Sequence, residues 1–368
     1  MTVAGKIRVL IDGWSLIYQP NSPAAGHVLS LLTYQPDEAE VTLALPAEPP
    51  AWLVGKFNLL VQSALNSIRQ RIHWEQRSLP TLAKDIRADL VHMSSATPPL
   101  FGSVPNLLSP ADSGEALHHP GFYSRLRQAL SAGGMARLAG LVWPSDLPTP
   151  TRDTPVFRVA PALPFDRFVE TPADRQEFDR LSLPESFILY HGPCHPAALR
   201  TLLESFGWVA GPVGENYPLL ILGMDEVGRE YLPELLAAYG LEGCVRALPI
   251  ISPYSVFQLY QNCSAVFHPA EITPWGNPLR NAIACGKPVV AGETSLSDAL
   301  VGPAGYLVAL DHPRELGAAL LTVIVEEEVA GQLSAAALRR AAGWQTEVFC
   351  RELGEAYRIL CDGVRVGG

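Results

Sequence analysis

The chain has 368 residues, 48% apolar and 17% charged, with a formal net charge of −10. That balance predicts two soluble domains, each burying its own core. It excludes a disordered chain and a membrane-spanning one, since no apolar run approaches about 18 residues. The charge is uneven: residues 1–165 hold 13 Lys/Arg against 12 Asp/Glu and the remainder 14 against 25, an acidic half that argues against nucleic acid and against a phosphate-rich ligand unless local dipoles oppose the field.

The N-terminus, M-T-V-A-G-K-I-R-V-L-I-D, runs straight into a buried strand at Ile7–Ile11 and lacks a signal-peptide layout, which predicts a cytoplasmic protein. A loop through D-G-W-S-L-I-Y-Q-P-N-S-P-A-A-G leads to a short helix at V-L-S-L-L and a strand at 40–45. Helix then strand follow near Thr81–His92, then a strand at V-P-N-L-L, a helix at Phe122–Ser131 and a strand at G-L-V-W. Strands alternating with helices predict a parallel sheet covered on both faces. The Pro-containing segment A-P-A-L-P-F-D-R-F-V-E-T-P-A-D is the linker, with the boundary near residue 165.

The alternation then restarts. A strand at Ser186–Tyr190 precedes a helix from His195-Pro196 to Phe206. P-L-L-I-L-G is a strand, Glu226–Tyr239 a helix closed by Gly240, and C-V-R-A-L a strand. Ser252 caps the next helix, with proline in its first turn. After the strand S-A-V-F-H-P comes a loop, a helix opened by Pro278, a stop at Gly286 and a buried strand. Two long helices near 312–326 and 329–361 finish the chain, broken around Gly343-Trp344. The six cysteines form no C-x-x-C pair and read as reduced and buried, so neither a disulfide framework nor a metal site is expected.

From Ser186 onward the sequence resembles the retaining family-4, or group 1, glycosyltransferases. The resemblance rests on G-P-C-H-P, on I-I-S-P-Y-S-V-F-Q-L-Y-Q-N-C-S-A-V-F-H-P, on W-G-N-P-L-R-N-A-I-A-C-G-K-P-V-V-A and on S-L-S-D-A-L-V-G-P-A-G-Y-L-V. The first half fits more loosely, through I-R-V-L-I-D and R-A-D-L-V-H. The resemblance implies the α/β GT-B fold, two Rossmann-like domains whose parallel sheets face each other across a cleft. The domains expected are 1–165 on the acceptor side and 166–345 on the nucleotide-sugar side. The C-terminal helix and tail, 346–368, are expected to pack back towards the first domain.

The family's working groups, carried over by position, are largely substituted. Its two glutamates, separated by seven residues before A-M-A-C-G, fall on Thr273 and Asn281. Its phosphate-binding Arg and Lys fall on Pro193 and Ala198. Hydrogen bonds to a charged group contribute about 1.5–3 kcal/mol each, so losing two costs about 3–6 kcal/mol, or about 10²–10⁴ in affinity. The Gly-x-Gly loop of the first domain reads Ser22-Pro23-Ala24-Ala25-Gly26, and of the His-Asp pair only Asp112 remains.

The candidate catalytic acids are Asp112, carried over by the resemblance, and Glu271, which stands two residues before the expected first acid and would serve only if the loop were shifted; the candidate donor-binding groups are Gly192, His195, Thr273, Trp275, Gly276, Asn277 and Asn281. Trp14 and Trp275 could stack on a sugar or base. Arg280, Arg200 and Asp298 read as ion-pairing, surface and helix-start residues, and His118-His119 as a loop pair. No cofactor or metal is implied, only a nucleotide diphosphate sugar as donor ligand. The reading is a family-4-like protein with weak or absent transfer, serving a glycosylation system as a binding or partner subunit beside another glycosyltransferase. The rival is an active, metal-independent retaining hexosyltransferase; a third reading is a glycan binder using only the N-domain cleft. Peripheral membrane contact stays open.

Overall fold

A computed structural model describes residues 5–95, 97–112, 121–164 and 171–367, with side chains to residue 362. The boundary expected near residue 165 and the His118-His119 pair lie outside these residues.

The first sheet has seven parallel strands: β1 (Ile7–Asp12), β2 (Ala39–Leu45), β3 (Asn58–Val61), β4 (Leu90–Met93), β5 (Asn106–Leu108), β6 (Gly140–Pro144) and β7 (Val156–Val159). Their order is β3-β2-β1-β4-β5-β6-β7. The second sheet, also parallel, holds β8 (Ile188–His191), β9 (Leu219–Leu222), β10 (Val245–Ala247), β11 (Ala265–His268), β12 (Val289–Gly292) and β13 (Gly305–Val308), in the order β10-β9-β8-β11-β12-β13. Both carry the doubly wound order in which the chain turns from one half of the sheet to the other beside the first strand. β8, β9, β11 and β12 are buried along their whole length, as strands covered on both faces must be.

Side chains at the helix starts fix the elements beside the cleft. α1 (Trp14–Tyr18) leads into α2 (Pro23–Thr33), where the Ser22 hydroxyl accepts from Ala25 N and Pro23 takes the first turn. α7 (Pro196–Val213) is capped by the His195 ring, α8 (Glu226–Tyr239) by Asp225 and α10 (Pro278–Ala284) by Asn277. α7 runs past Phe206 because Val209 and Val213 continue its buried face. The region between β3 and β4 is α3 (Ile68–His73), a π-helical turn at Trp74–Ser78 and α4 (Leu79–Asp85); α5 (Phe122–Met135), α6 (Pro172–Arg180), α9 (Pro253–Asn262) and α11 (Ser295–Val301) complete the helices beside the strands.

The C-terminal stretch is three helices, not two: α12 (Pro313–Val325), α13 (Glu327–Ala341) and α14 (Thr346–Gly367). Extended backbone at Glu326, φ −93° and ψ 93°, parts the first two. α14 lies on the first sheet, and Phe349, Leu353, Tyr357, Leu360 and Cys361 are members of its core. The buried ring of His92 bonds the Tyr357 hydroxyl at 2.7 Å and Ser109 Oγ at 2.6 Å.

Candidate ligand cleft

The cleft lies between the carboxyl ends of the two sheets, beside β1 and β4 in one and β8 and β11 in the other, where open parallel sheets take their ligands. The segment joining α1 to α2 crosses this space. Asn21 Nδ2 donates to the Ile251 carbonyl at 2.9 Å, and its Oδ1 accepts from Ile251 N at 3.0 Å. The Asn21 carbonyl accepts from His191 Nε2 at 2.6 Å. Burial lowers the His191 pKa to about 4, so its ring is neutral. The proton then sits on Nε2, and Nδ1 accepts from the Tyr260 hydroxyl at 2.8 Å.

Two glycines admit this crossing. A Cβ on Gly276, φ +65°, would overlap the Pro23 carbonyl oxygen, and one on Gly223, φ +86°, would lie 2.7 Å from the Asn21 carbonyl. Both conformations also favour glycine on backbone grounds alone.

The loop before α10 is packed against the first domain. Trp275 N donates to Pro110 O at 3.1 Å and its indole to Val142 O at 2.9 Å. Its ring stacks on His27 with centroids 5.0 Å apart and is a member of the first domain's core. Arg280 makes a two-pronged pair with Asp146, at 2.7 and 3.1 Å, and its guanidinium lies 4.8 Å from the Trp344 ring centroid. Burial pushes the Asp146 carboxyl up, but Arg280 more than offsets this, and its pKa falls below the usual carboxylate range.

The crossing segment divides the space, with Pro20, Asn21 and Ser22 lining both parts. One part, about 100 Å³, is bounded by α2, Trp52, Val256 and Phe349, with Trp275, Gly276, Asn277, Arg280 and Asn281 at one end. The other, about 430 Å³ and the more polar of the two, is bounded by Trp14, Tyr18, Arg71, Asp112, Arg127 and the start of α8. Only the larger falls in the usual range of small-molecule sites.

Behind the polar compartment lies an ion network centred on Glu75, which is 0% exposed and sits on the π-helical turn. Its carboxylate accepts from Arg71 Nε at 2.8 Å and from Arg127 Nη2 and Nε at 2.8 and 3.2 Å. Burial raises the Glu75 pKa, but Arg127 and then Arg71 outweigh it, and the carboxyl lies below its ordinary value. Asp112 faces the same guanidiniums, 3.7 Å from Arg71 and 3.8 Å from Arg127. Asp12, at the end of β1, accepts from Trp74 Nε1 at 2.9 Å and Trp14 N at 3.1 Å, and burial raises its pKa.

The residues expected at one site are therefore spread over three places. Asp112 and Gly192 line the polar compartment; Trp275, Gly276, Asn277 and Asn281 line the apolar one. Glu271 is exposed, Thr273 Oγ1 donates to Trp275 O at 2.8 Å, and the His195 ring accepts from Ala198 N at 3.3 Å. None of these three lines either compartment. Asn21, Arg71, Glu75 and Arg127 escaped the sequence reading. The one signal available was Arg71 and Glu75 at helical spacing i, i+4. Among the described residues no three His, Cys, Asp or Glu side chains converge as a metal site, and no helix is long and apolar enough to cross a membrane.

Two doubly wound sheets facing across a cleft, with the last helix returned to the first sheet, define the GT-B fold of glycosyltransferases. A sucrose-phosphate synthase from Thermosynechococcus elongatus matches with a TM-score of 0.68 at 16% identity, over 97% of this chain and 100% of that one. Anabaena HepE in complex with UDP and glucose matches with a TM-score of 0.67 at 16% identity, over 95% and 99%. WaaG, a glycosyltransferase involved in lipopolysaccharide biosynthesis, matches with a TM-score of 0.67 at 15% identity, over 95% and 99%. Residues 185–326 match the family model "Glycosyl transferases group 1". The O-antigen chain mannosyltransferase B of Escherichia coli is 23% identical over 177 residues, 48% of this chain. The aligned region spans about half of that relative, 46% of its length.

Proposed function

We propose that this is a group 1 glycosyltransferase-like protein whose donor side is substituted and partly filled by its own chain, so that it transfers sugar weakly or not at all. It serves a glycosylation system as a binding or partner subunit. The observation that carries this reading is the Pro23 carbonyl packed against Gly276, where an incoming donor would need room. Positions 193 and 198, proline and alanine, offer no cation to a diphosphate. Asn281 can still hydrogen-bond a hydroxyl, since an amide both donates and accepts. It lies, however, in the apolar compartment, across the crossing segment from Asp112.

The bound UDP and glucose of HepE, and the mannosyltransferase relative, choose the probes. Calorimetric titration with UDP, GDP, UDP-glucose and GDP-mannose is expected to show weak or no binding. Micromolar affinity with release of free nucleotide on turnover would overturn the reading in favour of an active retaining transferase. Copurification with a second glycosyltransferase from the native host is the expected sign of the subunit role.

A further inference from the structure

We propose that the segment joining α1 to α2, residues 19–22, is an autoinhibitory strap, and that Asn21 is the peg that keeps it shut. The inference rests on the reading of the cleft as an impaired donor site, and names what regulates that site.

The burial of the segment comes first. Between Leu16 and Ala24 the chain is half-exposed except at Asn21, which is 7% exposed. That one buried side chain serves the other domain. Its amide takes both backbone groups of Ile251, donating to the carbonyl at 2.9 Å and accepting from the N–H at 3.0 Å. Ile251 lies between β10 and α9, so these two groups belong to no sheet or helix ladder and need a partner from elsewhere. The Asn21 carbonyl adds a third bond, accepting from His191 at the end of β8 at 2.6 Å.

The arm that carries the peg is closed on itself. Gln19 N donates to Ser15 O and Ser22 N to Gln19 O, both at 2.9 Å, and Ala25 N donates to Ser22 Oγ at 3.2 Å. Pro20 and Pro23 flank the peg with restricted φ. Such an arm moves as a unit, and its hydrogen-bonded hold on the second domain is concentrated in one residue. The domains need not part when it lifts. The two-pronged Arg280–Asp146 pair and the bond from the Trp275 indole to Val142 O tie them together at the start of α10.

The place of the strap makes it a barrier. Pro20, Asn21 and Ser22 line both compartments, so a ligand reaching from one to the other must take their place. The latch is a weak one. A neutral hydrogen bond shifts an equilibrium by about twofold to tenfold. A ligand that waits for a minor open state binds more weakly by the fraction open, so removing the two bonds of the Asn21 amide returns about 5- to 100-fold in affinity.

Calorimetric titration of the full chain with UDP, UDP-glucose and GDP-mannose tests the strap through two variants that release it differently. Asn21→Ala removes the peg. Gly223→Ala keeps the peg and crowds its seat, since a Cβ there would lie 2.7 Å from the Asn21 carbonyl oxygen. Either variant is expected to bind at least one of the three nucleotides about 5- to 100-fold more tightly than the parent. A residue that merely supported the fold would lower the melting temperature of its variant and bring no such gain. A gain below about fivefold in both variants, for all three nucleotides, would overturn the strap and leave the impaired-donor reading standing. Micromolar binding with turnover by the parent would refute that reading instead. A further gain in the variants would then still support the strap, and no gain would overturn it as well.

Discussion

Lowering the pH from 7 to 5 should destabilise this protein through three buried histidines. Burial lowers His92 to about 3, and His191 and His268 to about 4, against 6.5 for a solvated ring. These are bases whose folded pKa is depressed. Above pH 6.5 both states are neutral and nothing is lost. As pH falls, the unfolded chain takes up protons that the folded chain refuses, so stability falls between about pH 6.5 and pH 4. At 1.36 kcal/mol per pH unit, each ring costs about 2 kcal/mol at pH 5, so the three together cost about 5–6 kcal/mol relative to pH 7. His27, lowered well below its ordinary value by burial, acts in the same direction. That sum is a large share of a domain's stability. Urea unfolding followed by tryptophan fluorescence at pH 7, 6 and 5 reads the loss. Proton uptake on unfolding at pH 5, measured in weakly buffered solution, reads it without a two-state assumption and should be about three protons or more. A midpoint unchanged between pH 7 and 5, or uptake below about one proton, would mean that these rings are not held neutral in the folded chain.

Arg280→Ala removes the partner of Asp146 and the cover of Trp344, leaving a carboxylate in a mostly buried site. It is expected to destabilise the protein by about 3–5 kcal/mol, read by urea unfolding. Gly276→Ala places a Cβ on the Pro23 carbonyl at φ +65°, so the domains must part or the loop must shift. Small-angle scattering should show a larger radius of gyration or, failing that, the melting temperature should fall; a variant unchanged in both would contradict the packing.

Much of the fold was legible in the sequence because the two sheets are buried on both faces. Runs such as V-L-I and P-L-L-I-L-G are continuous, and caps such as Ser252-Pro253 and the Gly240 stop sit where the helices begin and end. Edge strands fared worse. β3 and β7 are short and half exposed, and their apolar runs do not stand out from loop sequence. For the site, the sequence offers only the expectation that Thr273, Asn281, Pro193 and Ala198 stand where the family it resembles carries charged groups, and no spacing says that Asn21 bonds Ile251, 230 positions away. Nor does any local pattern join Arg127 to Glu75, 52 positions apart. Such pairs depend on tertiary packing, which a linear pattern does not carry.

The return of α14 to the first sheet bears on how this chain is made. Tyr357 bonds His92 across 265 positions, and with Phe349 and Leu353 it fills a core that β1 begins. Contacts of that separation close late, because the loop between them must first be ordered. The core of the half that leaves the ribosome first is therefore completed only when the last helix has been made.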